Sequence, residues 1–308
     1  MNKISIVIIN YKTVDLTIEC VNSILSADFI NFTVEIIILD NDSQDGSFER
    51  LSSLFPILKV VPLERNIGFA AANNRGVELA TGDYVLFLNP DTVVLPGALE
   101  ALWSFAQRRP EAGAWGGRTL FGDGSLNPTS VSSFVTLRST LYRAVGLSMI
   151  FSRSPVFNPE VYPRWKRDTE RAVDILFFCF VLVRIDVWRK LGGFDERFFM
   201  FCEDDDICWR MRAAGLDRLF TPEACIVHYG GASTPSRPAR IAMILAARLL
   251  WIELHWKPLS ALTARMIIQA GVFGRMLFDR LTSWRSNGSA TWEEVWAERA
   301  VWARAPKS

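Results

Sequence analysis

Four short runs rich in β-branched residues open this chain: ISIVII (4–9), VEIIIL (34–39), LKVV (58–61) and YVLFL (84–88). Segments of helical period lie between them, marked by Leu16, Cys20 and Ile24 and by the stretch from Phe69 to Ala80. Near-continuous apolar strands alternating with helices predict a mostly parallel sheet with helices on both faces. In such α/β sheets ligands sit beyond the carboxyl ends of the strands. Attention therefore falls on the polar residues that follow each run: Asn10 and Tyr11, then DNDS (40–43), then ERNIGFAAANNRG (64–76), then Asn89, Pro90 and Asp91.

A chain of 308 residues, half of them hydrophobic, buries a full core and makes one large domain or two smaller ones. Lys plus Arg (34) against Asp plus Glu (33) leaves a net charge of +1, so no global field recruits nucleic acid. Any charge chemistry is local. The five cysteines are odd in number, form no CxxC pair and sit mostly in apolar runs, which predicts reduced thiols in a cytoplasmic protein and no zinc site. The N-terminal stretch has no signal-peptide pattern, and no apolar run reaches the roughly 18 residues of a spanning helix.

Past Trp115 the pattern loosens. FGDGS (121–125) predicts a hairpin turn and residues 155–163 a Pro-rich loop, together a variable, substrate-facing insertion. A buried strand is expected over 173–184, a helix over 203–214 stopped by Gly215, and a strand over 224–228. From 236 onward the composition turns to Leu, Ile, Trp and Arg, with helices over 239–285 and 291–304. Arg240, Arg248, Lys257, Arg265, Arg275, Arg280 and Arg285 interrupt their apolar stripes, and Trp251, Trp256 and Trp284 add amphipathic anchors. Such helices suit a membrane interface, a cap over a catalytic domain, or a dimer contact.

Two strand-end acids stand out. Asp91 follows YVLFL and a proline; one carboxylate there suits a hard divalent cation held mainly by phosphate oxygens, although Asn-Pro-Asp is also good turn chemistry. Asp40 stands in the same relation to VEIIIL and could accept the ring N–H of a uracil or thymine, or close an Asx turn. Four further acids, Glu203 to Asp206, occupy a predicted first helical turn, where the helix dipole favours negative charge. Ile207, Cys208, Met211 and Ala214 make the apolar stripe, and Asp204 lies three and four residues before its start, so it points inward. Asp206 is placed to make an exposed pair with Arg210, Asp205 falls on the side of Trp209, and Glu203 lies on the margin. A carboxyl against an apolar wall and other acids gains proton affinity, as a general base requires. His228 follows CIV at a strand end, where it is either a metal ligand or a satisfied turn residue.

The blocks SIVIINYKT, IIILDNDSQDGS, RNIGFAAANNRGVELATGDYVLFLNPDTVV, GGFDERFFMFCEDDDICWRMRAAG and IVHYGGAS resemble, in order and spacing, family 2 glycosyltransferases of the GT-A fold, especially bacterial rhamnosyltransferase-like members. The similarity runs through most of 4–234. It implies a GT-A catalytic domain over 1–235, with a nucleotide-binding half to about 117, and a helical appendage over 236–308. It further implies that Asp40 contacts a pyrimidine base, that Asn10, Asn66 and Asn73 help hold the nucleotide, that Asp91 and His228 bind Mg2+ or Mn2+ on the diphosphate, and that Asp204 is the catalytic base. The usual DxD reads Asn89-Pro90-Asp91 and lacks its first acid. The donor implied is a dTDP- or UDP-sugar, L-rhamnose first. The acceptor implied is a glycan or lipid-linked glycan at the cytoplasmic membrane face. Where relatives carry small residues this chain has Phe177-Phe178-Cys179, whose bulk would narrow the sugar pocket or close it. A closed pocket would make the chain a non-catalytic nucleotide-sugar binder. A nucleotidyltransferase is disfavoured by the absence of a Gly-rich phosphate loop after the first strand, and a dehydrogenase by the absence of GxGxxG.

Overall fold

The structure, a computed structural model, describes residues 1–230, 236–282 and 291–303. Trp284, Arg285 and the stretch 231–235 lie outside the described residues. In chain order the elements are β1 (Asn2–Asn10), α1 (Val14–Leu25), β2 (Phe32–Asp40), α2 (Ser47–Leu54), β3 (Lys59–Pro62), α3 (Gly68–Glu78), β4 (Tyr84–Leu88), β5 (Thr92–Val94), α4 (Ala98–Arg108), β6 (Ala114–Leu120), β7 (Leu126–Asn127) and β8 (Val131–Ser132). They continue with α5 (Leu137–Ala144), α6 (Leu147–Ile150), β9 (Arg171–Ala172), β10 (Ile175–Leu176), β11 (Phe180–Arg184), α7 (Ile185–Leu191), α8 (Glu203–Ala213), β12 (Arg218–His228), α9 (Arg237–His255), α10 (Pro258–Thr282), α11 (Thr291–Ala297) and α12 (Arg299–Trp302).

Two compact units emerge. The first comprises 1–132, 166–199 and 203–233; the second comprises 133–165, 200–202 and 234–308. The insertion around α5 and α6 groups with the C-terminal helices.

The first unit is built on one sheet of order β3-β2-β1-β4-β11-β6-β12-β5. Strands β3, β2, β1 and β4 run parallel, as their alternation with helices predicts. Strand β11 enters antiparallel between β4 and β6, and β5 pairs antiparallel with β12. Ile4, Ile6 and Ile8 of β1 join Cys20 and Val21 of α1 and Leu99 and Leu102 of α4 in one core. On the opposite face α3 lies so close that a Cβ on Gly76 would fall 2.4 Å from Val7 Cγ1 and 3.2 Å from Leu39 Cδ1.

Several elements differ from expectation. The strand expected over 173–184 is broken into β10 and β11, with Phe177–Cys179 between them. Strand β12 begins at Arg218, six residues before the expected start, with a register shift between Phe220 and Cys225. Strand β6 was hidden by its glycines: a Cβ on Gly117 would meet the Ala224 carbonyl at 2.3 Å and the Phe180 ring at 2.6 Å. The helices expected over 239–285 are α9 and α10, parted at Trp256–Lys257. One of them, α10, is long and apolar enough over Pro258–Leu281 to cross a membrane, contrary to the reading of apolar runs.

Gly76→Ala tests the α3 contact. Helix propensity alone favours alanine by about 1 kcal/mol, but overpacking against Val7 reverses the sign, so urea unfolding should show a net loss of roughly 1–3 kcal/mol.

Candidate functional site

The carboxyl ends of β1 and β2 bring Asn10 opposite Asp40 in register. Asn10 Nδ2 donates to Asp40 Oδ2 at 2.6 Å and to Ser43 Oγ at 3.2 Å, while Thr17 Oγ1 donates to Asn10 Oδ1 at 2.7 Å. Asp40 also accepts from the Ser43 N–H at 3.0 Å and the Ser43 hydroxyl at 2.7 Å. Asp40 thus closes its own loop onto Ser43, three residues on, in place of the Asx turn considered for it. Asn10 is fully buried with both side-chain ends engaged, so its part is to fix Asp40. A carboxylate has about four lone-pair sites, which leaves Asp40 capacity for one more donor.

Asn41, which the sequence reading passed over, ties the next loop to this strand end. Its Nδ2 donates to Asn66 Oδ1 at 3.1 Å and to the Gly68 carbonyl at 3.3 Å, and its Oδ1 accepts from the Ile67 N–H at 3.0 Å. Asn66 Oδ1 also accepts from the Gly68 N–H at 3.0 Å. Asn73 is buried on α3 and donates back to the Phe69 carbonyl at 2.9 Å, an intrahelical bond separate from this network.

The second cluster depends on the β5–β12 pairing, which sets His228 opposite Thr92 and so beside Asp91. His228 Nε2 lies 3.3 Å from Asp91 Oδ1 and 3.4 Å from Asn89 Nδ2. Both the acid and the imidazole are largely enclosed. Burial pulls the imidazole pKa down, but the neighbouring Cys179 sulfur and Asp91 carboxylate outweigh it, and the net value is pushed up to about 10. Asn89 Oδ1 and His228 Nδ1 are buried without a hydrogen-bond partner. Once the imidazole gives up its proton, one carboxylate and one imidazole nitrogen converging here, with an orphaned amide oxygen at hand, fit a divalent cation whose remaining ligands come from a diphosphate. Among the described residues no group of three or more His, Cys, Asp or Glu forms a complete protein cage.

The third cluster is the first turn of α8. Residues Phe201 and Cys202, directly before it, both adopt the left-handed conformation (φ 72° and 63°), a strain that is costly for non-glycine residues. Glu203 is buried, with Oε2 unpartnered. Burial, reinforced by the charge of Asp205, pushes its carboxyl up to about 8. Asp204 is half-buried as a residue, yet its Oδ1 is enclosed and unpartnered. Burial first, then the Glu203 charge, holds its carboxyl well above the ordinary range, against a backbone hydrogen bond from Phe178. The inward direction of Asp204 is therefore borne out, and Glu203, read as marginal, turns inward too. The Asp206–Arg210 pair exists at 2.5 and 2.8 Å but is not exposed: Asp206 is buried, and Arg210 also donates to the Leu191 and Gly193 carbonyls beneath α7.

Cys179 links the second and third clusters. Its carbonyl accepts from the Asn89 N–H at 3.1 Å, two residues before Asp91, and its side chain is among the groups that bear on the proton affinity of His228 and Asp204. The resemblance places it beside the sugar pocket only as part of Phe177-Phe178-Cys179. Phe178, by contrast, is fully buried in an aromatic core, with ring centroids 5.2 Å from Phe87 and 5.0 Å from Phe194, so it does not fill a sugar pocket. Only half-buried Phe177 keeps that capacity.

Comparison with known proteins decides the family. The glycosyl transferase family 2 model matches residues 5–171. The chain belongs to glycosyl transferase family 2. This glycosyltransferase is 31% identical over 217 residues to N-acetylglucosaminyl-diphospho-decaprenol L-rhamnosyltransferase of Mycobacterium tuberculosis, covering 67% of this chain and 70% of that protein. It is 29% identical over 171 residues to rhamnosyltransferase WbbL of Escherichia coli, covering 53% and 61%. Among solved structures, mannosyltransferase PcManGT from Pyrobaculum calidifontis in complex with GDP-Man and Mn2+ superposes with a TM-score of 0.55 at 16% identity, covering 98% of this chain and 80% of that one. S. aureus TarS 1-349 in complex with UDP-GlcNAc gives 0.53 at 16% identity, covering 96% and 78%. These likenesses bear out the GT-A fold.

The acid pair carries a stability signature. Glu203 keeps its proton in the folded chain up to about pH 8, while the unfolded chain releases it near its ordinary value of 4.5. The folded state thus binds more protons across that window, and stability falls as pH rises through it. Glu203→Gln should melt roughly 3 °C or more above wild type at the alkaline end and equal it at the acid end, as read by calorimetry across pH.

Proposed function

We propose that this glycosyltransferase is a metal-dependent, inverting enzyme that moves a hexose from a dTDP- or UDP-sugar to a hydroxyl of a lipid-linked glycan. Similarity to the two rhamnosyltransferases supports L-rhamnose as the sugar. The similarity to an enzyme named for a diphospho-decaprenol substrate supports a lipid-linked acceptor at the cytoplasmic face of the membrane. The observation that carries the chemistry is the enclosed Asp204 carboxyl, its Oδ1 without a partner, together with the Asp91–His228 pair, whose neighbour Asn89 is tied to Cys179 by a backbone hydrogen bond.

In this reading Asp40, fixed by Asn10 and Ser43, accepts the ring N–H of the pyrimidine. Asn66 and Asn73 steady the nucleotide from the loop before α3 and from α3 itself. Asp91 and His228 hold Mg2+ or Mn2+, which when bound supplies charge neutralisation at the diphosphate. Asp204 takes the acceptor hydroxyl proton as that oxygen bonds to the anomeric carbon, and the bond from that carbon to the diphosphate oxygen breaks on the opposite face. Enclosure of Asp204 matters here because a carboxylate of ordinary acidity is a weak base for an alcohol, and desolvation raises its appetite for the proton. The first unit forms the catalytic domain, and the second carries the C-terminal helices.

Asp204→Asn should lower turnover by about 10²–10⁴-fold, the usual worth of a general base. Binding of dTDP or UDP with Mn2+, measured by titration calorimetry, should stay unchanged; wild-type turnover in this variant excludes the role. Since Asp204 must lose its proton to act, kcat should keep rising with pH well above the ordinary carboxylate value of about 4. A profile already flat from there upward contradicts an activated base.

A further inference from the structure

The exposed face of α10 is apolar along its length. Leu259, Leu262, Met266, Phe273, Leu277 and Leu281 recur at helical spacing, and all are exposed, Leu259 and Leu281 by about three-quarters. The opposite stripe, Ala264, Ile268, Val272 and Met276, is buried in the second unit. Helix α5 packs beside α10 so tightly that a Cβ on Gly271 would fall 2.8 Å from Ala144 Cα. Leu141 of α5, Val145 just after it, and Met149 and Ile150 of α6 are exposed as well. Exposed large apolar side chains in this number on neighbouring helices mark an interaction surface.

Charge is equally one-sided. The residues of the second unit include fifteen Lys and Arg against six Asp and Glu, a net +9, whereas the rest of the chain has nineteen against twenty-seven, a net −8. Near-neutrality of the whole chain conceals this split.

We infer that the exposed α5/α6/α10 face of the second unit lies in the headgroup and acyl boundary of an anionic lipid bilayer. An apolar helix face set in a strongly cationic unit matches such a surface in both respects. A second copy of the same face matches only the first, since two units of +9 repel. The helix lies along the surface and does not cross it: its buried stripe already packs on protein, and Arg265 on its flank is ion-paired with Glu253 while Arg275 donates to the Gly271 and Arg143 carbonyls. This surface deepens the lipid-linked acceptor reading by naming how the enzyme reaches such a substrate.

The test is co-sedimentation of the full chain with vesicles of phosphatidylcholine alone and of phosphatidylcholine mixed with phosphatidylglycerol. Wild type should bind the mixed vesicles at least about tenfold more tightly than the neutral ones and come off in high salt or alkaline carbonate. Leu259→Gln/Leu262→Gln/Leu281→Gln should weaken binding to mixed vesicles at least about tenfold, because each leucine gives up its burial on docking. These side chains are exposed, so the melting temperature of the triple variant should match wild type. Absent or lipid-independent binding, or unchanged binding by the triple variant, overturns the proposal. So does resistance to carbonate, which indicates a spanning helix, or a wild-type dimer that the triple variant makes monomeric. Mn2+-dependent hydrolysis of the nucleotide sugar without vesicles separates the two readings: hydrolysis without vesicle binding sinks only the docking surface, and vesicle binding without hydrolysis sinks only the transferase.

Discussion

Two adjacent carboxyls, Glu203 and Asp204, are enclosed with an oxygen each left unpartnered and with no cation paired to either. Burying an uncompensated acid is among the costlier things a fold can do, and the group responds by keeping its proton. The helix dipole at the start of α8 relieves part of that cost. Asp206, one turn face away, follows the opposite course and is neutralised by Arg210. The fold thus separates a tethered acid from two acids held ready to exchange protons, within four consecutive residues.

The sheet brings the other partners to this point. Parallel strands β1, β2 and β4 end on one edge, so Asn10, Asp40 and Asn89 arrive together although 79 residues separate the first from the last. The short β5 turns the chain after Asp91 and pairs with β12, which delivers His228. Cys179 enters from the break between β10 and β11, where its carbonyl accepts from the Asn89 N–H at 3.1 Å. Cooperation of this kind between distant chain segments is why a strained, acid-rich edge can persist on an otherwise well-packed core.

Much of this was legible in the sequence because period and polarity agree in the first 90 residues: four strands, their order of use and the acids that follow them could be read directly. Direction along α8 was legible for Asp204 from its offset to Ile207 and Cys208. Burial of Glu203 and of the Asp206–Arg210 pair was not; the pair is fixed by the Leu191 and Gly193 carbonyls at the end of α7, which helical spacing does not foretell. Strand β6 escaped because Gly116 and Gly117 erase the β signal while serving close contact with Leu176 and Phe180. The contacts of Asn41 and Cys179 escaped because a short polar run and an apolar run say nothing about which member meets a distant loop. The charge split between units was invisible because it requires knowing that 133–165 groups with 234–308.

For the proposed reaction on a lipid-linked acceptor, the enclosed acids of one unit and the cationic, apolar helices of the other answer separate demands. The central claim concerns the acids, and infrared titration of the carboxyl bands examines it most directly. The account predicts protonated carboxyl absorption persisting above about pH 6, where ordinary side chains are ionised, and vanishing from that range when Glu203→Gln is combined with Asp204→Asn. If every carboxyl in the wild-type chain is already ionised there, the enclosed pair does not hold its protons and the account fails.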